Sequence, residues 1–306
     1  MFAIDATLIL FDMTDHALLP VNLADGQVLC RMPLPADEHP LAIFASESRI
    51  YLFANRPSSG ILYIADTTDG TLSTLPVTLP PATCVCPSPH HRLLYLATAR
   101  RLYRLDLTSY HLTALSTTTA PYALIADCNH LYAVYDHADG TVLHCYDHSD
   151  TLLGEHLLSG TVTTLHAQDD VCYLPFTESR LHGEGLYLFC PHRQPTLTTI
   201  SLQPHTTRGL TAYPYGLLIQ DDVLYLSAES AATITRINRH TQEVIDCIPL
   251  GHSISNLYPL PDSRFALASS NMFADLVLID LVNNRLLSLS SCPHEIFPRL
   301  MVLPPA

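Results

Sequence analysis

Residues 101–115 read RLYRLDLTSYHLTAL. Apolar residues alternate with polar ones up to Asp106, a polar corner follows at Thr108 and Ser109, and apolar residues return at Leu112. A period of two puts successive side chains on opposite faces of an extended strand, so the stretch predicts two short strands joined by a turn. Residues 275–289, DLVLIDLVNNRLLSL, repeat the shape. The corner recurs around Asn22, Asp66, Asp106, Asp147, Pro191, Asn238 and Asp280, and the residue six later is aliphatic each time: Val28, Leu72, Leu112, Leu153, Leu197, Val244 and Leu286. Successive corners are 44, 40, 41, 44, 47 and 42 residues apart, and 48 residues lead from Asp280 through the C-terminus back to Asn22. The repeat therefore tiles the chain.

Around each corner the unit reads as four short strands. In the third unit these are ATCVCP, LLYLAT, RLYRLDL and LTALST, separated by SPHHR and TSYH turns. The strands are rich in Val, Ile, Leu, Tyr and Thr, which suit a pleated, half-buried surface. Asp-Gly at 25–26, 69–70 and 139–140 marks further turns. No segment carries a capped helical period. Four strands per unit of about 40–45 residues specify an all-β seven-bladed β-propeller of four antiparallel strands per blade. The expectation is one domain over 1–306, with blade 1 shared between 1–34 and 296–306. The C-terminal strand, within PRLMVLPP, would pair with the N-terminal TLILFD and close the ring, removing its free edges.

Composition narrows the function. The 306 residues include 48% hydrophobic and 14% charged, and the net charge is −14. All 15 basic residues are Arg, so the chain is acidic and lysine-free. Nucleic-acid binding is not expected, because neutralising phosphates needs clustered Lys and Arg. Apolar runs are too short for a membrane helix, so no membrane insertion is expected. The N-terminal MFAIDATLILFDMTD does not read as a secretory signal. Nine Cys without a CxxC pair, mostly in apolar strands, predict buried free thiols and a reducing, cytoplasmic compartment.

IYLFANR at 50–56, LLYLATA at 93–99, LYAVYDH at 131–137 and VLYLSAE at 223–229 resemble the strands of seven-bladed YVTN-type propellers, related in style to lactonase-like propellers. The resemblance spans essentially the full chain and implies the fold. Its members include enzymes, redox subunits and binding scaffolds, so it does not select among activities.

In a propeller the turns between blades and between second and third strands share one face, where loop residues are the functional candidates. His39, His252 and His294 stand in lead-in turns of consecutive blades and offer imidazoles for a divalent metal or a proton shuttle, with Glu295 and Arg299 beside them. Asp12, Asn55, Asp136 and Glu229 end second strands and offer oxygen ligands to a divalent ion at the channel mouth. Two extended loops, QPHTTRGLTAYP at 203–214 running into Tyr215 and FTESRLHGEG at 176–185, present His205, Arg208, Tyr213, Tyr215, Arg180 and His182. Aromatic and Arg residues on raised loops suit protein recognition. The expected function is a non-enzymatic module or scaffold engaging a protein partner through this loop-rich face. The alternatives are a channel-mouth enzyme, a lactonase or metal-assisted lyase using the three His, and a redox-complex subunit.

Overall fold

The computed structural model describes residues 7–12, 14–46, 49–89, 92–115, 119–178, 183–191, 195–202, 214–228, 232–251, 253–260, 264–269, 276–288 and 301–303. They form a seven-bladed β-propeller. Blade 1 contains β1 (Thr7–Asp12), β2 (Ala17–Asn22) and β3 (Met32–Pro33). Blade 2 is β4 (His39–Ser46), β5 (Arg49–Asn55), β6 (Gly60–Asp66) and β7 (Thr71–Thr74). Blade 3 is β8 (Cys84–Pro87), β9 (Leu93–Ala97), β10 (Leu102–Asp106) and β11 (Leu112–Ala114). Blade 4 is β12 (Ala123–Ala126), β13 (His130–His137), β14 (Gly140–Asp147) and β15 (Leu152–Leu158). Blade 5 splits its first strand into β16 (Thr161–Val162) and β17 (His166–Gln168), both paired with β18 (Val171–Glu178), and continues with β19 (Gly183–Cys190) and β20 (Thr196–Ser201). Blade 6 is β21 (Pro214–Gln220), β22 (Val223–Ala228), β23 (Thr233–Asn238) and β24 (Val244–Pro249). Blade 7 is β25 (Asn256–Pro259), β26 (Phe265–Ser269), β27 (Leu276–Asp280) and β28 (Arg285–Ser288). The last strand, β29 (Met301–Leu303), pairs antiparallel with β1 through Thr7↔Leu303 and Ile9↔Met301, so the two ends of the chain share blade 1 as expected. Among the described residues no helix is long and apolar enough to cross a membrane.

The corners have a common construction. Asp106 Oδ1 accepts the amides of Thr108 at 2.7 Å and Ser109 at 2.9 Å. Asn238 Oδ1 does the same for His240 and Thr241, both at 2.9 Å, and Asp280 Oδ1 for Val282 and Asn283. An Asp or Asn oxygen thus stands in for a backbone carbonyl and shapes the turn. The residue four after the corner is left-handed at Gly26 (φ 75°), Gly70 (73°), Tyr110 (58°), Gln242 (62°) and Asn284 (52°).

The chain divides into two compact units. In the unit of residues 37–66 and 72–199, successive sheets bury shared apolar layers. Phe53 and Leu62 of blade 2 join Leu94, Leu96 and Leu105 of blade 3 in one cluster. Cys84 and Cys86, on one face of β8, join Tyr135 and Tyr146 of blade 4 in the next. Tyr132, Leu143 and Cys145 join Leu174 and Phe189 of blade 5 in the third. In the unit of residues 1–36, 67–71 and 200–306, Leu8 and Leu10 of blade 1 cluster with Leu267 and Leu278 of blade 7, and Ile234 and Ile248 of blade 6 with Ala266 and Ile279 of blade 7. Each fully buried Leu, Ile or Phe contributes about 1.5–3 kcal/mol.

Two expected elements differ. The 176–185 stretch, expected as an extended loop, is mostly strand: Phe176 opposes Gly185, Thr177 opposes Glu184 and Glu178 opposes Gly183. The alternation Phe-Thr-Glu is a strand pattern, and the facing glycines carry no side chain to crowd it. VLCRMPL at 28–34 reads in sequence as the outer strand of blade 1, yet only Met32–Pro33 of it forms β3, and Val28 joins β2 through an isolated bridge to Val21.

Candidate functional site

His39 is the first residue of β4, exposed and opposite Asn55 in the register. His252, His294, Glu295 and Arg299 lie outside the described residues. Asp12 and Asn55 are the last residues of β1 and β5, Asp136 is the last but one of β13, and Glu229 lies outside the described residues. Asp12 is fully buried, and its Oδ1 accepts the amides of Thr14 and Asp15. Asn55 clasps the lead into blade 3: its Nδ2 donates to Ala82 O at 2.7 Å and its Oδ1 accepts the Ala82 amide at 2.9 Å. Asp136 is exposed. Of the loop candidates, Tyr215 is half-buried at an irregular step in β21, and Arg180, His182, His205, Arg208 and Tyr213 lie outside the described residues.

A cavity of about 370 Å³ opens at the outer rim of blades 4 and 5, lined by Cys145, Leu153, Gly154, His156, Phe189, Pro191 and Pro195. The local sequence explains it. Between Cys145 and Tyr146 the register of β14 against β15 shifts, so that Gly154 opposes Cys145, Leu152 opposes Tyr146 and Leu153 is the extra residue. A bulge re-aims neighbouring side chains, and here the adjacent Leu152 and Leu153 are both exposed, at 47% and 49%. Leu157 is 57% exposed on the same strand. Gly154 supplies room: a Cβ there would stand 3.2 Å from His156 Nε2. The His156 ring rests on Phe189 with centroids 4.6 Å apart, and its buried Nε2 has no hydrogen-bond partner among the described residues. An apolar cavity of this size holding one unsatisfied polar atom has the make-up of a ligand or side-chain pocket.

Burial favours the neutral forms of Cys145 and of the blade 4 phenols Tyr135 and Tyr146. Burial first, and the nearby Asp127 and Asp147 charges next, push the Cys145 thiol up to about 12, so it is a protonated thiol and not a thiolate nucleophile. On blade 4 a chain runs from Glu155 Oε2 to His144 Nε2 at 3.2 Å, from His144 Nδ1 to Tyr146 Oη at 3.1 Å, and on to Tyr135 Oη at 3.2 Å. Burial pushes both phenols up and the imidazole down, with Glu155 pulling the imidazole back up. Burial has the same effect on Tyr63, reinforced by Glu38, which accepts its hydroxyl at 2.6 Å; the phenol is pushed up to about 12. Among the described residues, one group of three side chains has metal-ligating geometry: Asp127, His130 and Asp170, joining the first turns of blades 4 and 5.

None of these features stood out in the sequence. Leu152 and Leu153 resembled an ordinary outer strand, and Asp127 and Asp170 are 43 residues apart in the chain. The repeat length itself was the available signal, since equivalent turns of successive blades become neighbours.

No known family model matches the chain. No curated protein matches it. Solved structures do. A functionally unknown protein from Desulfotomaculum acetoxidans aligns with TM-score 0.71 and 11% identity over 98% of this chain and 99% of that one. Kuenenia stuttgartiensis hydrazine synthase aligns with TM-score 0.70 and 11% identity over 92% and 94%. Virginiamycin B lyase from Staphylococcus aureus aligns with TM-score 0.66 and 12% identity over 85% and 86%. At these identities the likeness shows the fold alone.

Proposed function

We propose that the chain is a non-enzymatic, YVTN-type propeller module that binds a protein partner. The observation carrying this reading is the outer strand of blade 4: Leu152, Leu153 and Leu157 are exposed along it, and Leu153 lines the Gly154–His156–Phe189 cavity. A pocket ringed by apolar surface is how interfaces concentrate binding energy: one anchor side chain fills the pocket while its surroundings exclude water. The orphan His156 Nε2 suits an anchor with a polar tip, such as Tyr or Trp. The protonated Cys145 supports binding over covalent catalysis at this cavity. Cys86, Cys145 and Cys172 are buried thiols inside apolar strands, which suits a reducing, cytoplasmic setting. The loop-rich face remains part of the proposal, through the 203–214 loop.

A photo-crosslinking residue placed at 153 or 157 of the full chain tests the reading, with the exposed corner residue Thr108 as the control position. A discrete adduct at 153 and 157 and none at 108 is expected. The purified partner should then lose at least about 30-fold in affinity for Leu153→Asp, the size of a buried anchor contact. Shortening 203–213 reads the loop contribution separately. Equal labelling at all three positions, or an affinity indifferent to both changes, overturns the proposal.

A further inference from the structure

We propose that Asp127, His130 and Asp170 form a binding site for a divalent transition metal such as Zn²⁺, clasping the first turn of blade 4 to that of blade 5. His130 Nδ1 lies 3.5 Å from Asp127 Oδ1 and 3.5 Å from Asp170 Oδ1, and ligand atoms from all three residues lie within 4.8 Å of one another. The two spacings are longer than a shared proton gives and match the ligand–ligand edge of a tetrahedral ion. A proton shared by an imidazolium and a carboxylate draws the heavy atoms to about 2.7–2.9 Å. A tetrahedral ion with ligand bonds of about 2.0–2.2 Å holds its ligands about 3.3–3.6 Å apart. Both His–Asp edges have the second length.

The nitrogen is poised for such an ion. Only 14% of the His130 side chain is exposed, and Nδ1 is buried without a hydrogen-bond partner among the described residues. A desolvated imidazole nitrogen left unsatisfied is costly, and a cation placed between it and two carboxylates relieves that cost. The carboxylates are oriented in advance. Asp127 Oδ1 accepts the amides of Asn129 at 2.8 Å and His130 at 2.7 Å, and its Oδ2 accepts the Tyr132 hydroxyl at 3.1 Å. Asn129 Nδ2 donates to Asp170 Oδ1 at 2.8 Å. A mixed imidazole and carboxylate set suits Zn²⁺ and its neighbours better than Ca²⁺, which takes oxygen alone. Three protein ligands leave a fourth position to water; Asp170, a third exposed, stands on the open side.

The test is calorimetric titration of chelator-stripped full-length protein with Zn²⁺ alone, repeated with Co²⁺ to read the ligand-field spectrum. One tight equivalent is expected. His130→Gln and Asp170→Asn should each weaken it more than about 100-fold, and Asn129→Ala, which removes only the orienting bond, about 10–100-fold. Asp170 has φ 59°, a conformation Asn tolerates, so Asp170→Asn preserves the turn. His240→Gln removes an imidazole of similar chemistry, 71% exposed and 2.8 Å from Asp222, and should change nothing. Absence of a tight equivalent in the unaltered chain overturns the proposal. So does binding unaffected by both His130→Gln and Asp170→Asn, which would place the metal elsewhere.

Discussion

Gly26 isolates what a blade corner demands of a single residue. Its φ is +75°, and nothing lies within 4 Å of where a Cβ would stand. Gly26→Ala therefore changes backbone preference and nothing else, and should cost about 1–2 kcal/mol, read as a lower urea midpoint at unchanged slope. The reverse change at the equivalent place, Gln242→Gly at φ 62°, should raise the midpoint. An unchanged midpoint in both would show that the corner tolerates either residue. The Asp or Asn that opens six of the seven corners was legible in the sequence because its chemistry is the turn's chemistry. The left-handed residue four later was legible at Gly26 and Gly70 but not at Tyr110 or Gln242, whose side chains say nothing of φ. The Asp127–His130–Asp170 group was illegible for another reason. Its members meet across two blades, and His130 alone reads as one more polar residue entering a strand.

Blade 4 shows how one element combines rigidity with exposure. The face packed against blade 3 carries the Glu155–His144–Tyr146–Tyr135 chain across β13, β14 and β15, while its outer strand bulges to present Leu152 and Leu153. The chain makes a pH-dependent contribution whose sign is fixed. Burial holds the folded-state His144 below its ordinary value near 6.5. Between the folded and unfolded values, the unfolded chain binds the additional proton. The contribution is thus complete above about pH 6.5 and is lost as pH falls through 6.5 toward the folded value. Urea midpoints from pH 8 to 5 should fall less steeply for His144→Gln than for the unaltered chain; parallel profiles would refute the assignment. At this scale the strands were legible from alternation and the bulge was not. One residue added to Leu-Leu-Gly leaves the composition of an outer strand unchanged and only shifts its register. The 176–185 stretch reads as a loop because its glycines and charges suggest a turn throughout, whereas 176–178 and 183–185 pair as strands.

For the molecule as a whole, seven blades followed from seven corners because the repeat sets the strand count, and the β1–β29 pairing followed from three strands at one end and one at the other. Truncation before Met301 leaves β1 without its neighbour. The shortened chain should melt at lower temperature and self-associate with rising concentration, followed by light scattering, because an open strand edge recruits other strands. A truncated chain that stays monodisperse and melts unchanged would show that β29 contributes nothing to blade 1. The same pairing imposes a schedule on biosynthesis. Blades 2 to 7 can each complete soon after their residues leave the ribosome, whereas blade 1 waits for almost the whole chain. At about 5–20 residues per second, that is a delay on the order of tens of seconds. During it the first hairpin to emerge stays incomplete, so a nascent chain stalled late in translation should be the species most in need of a chaperone.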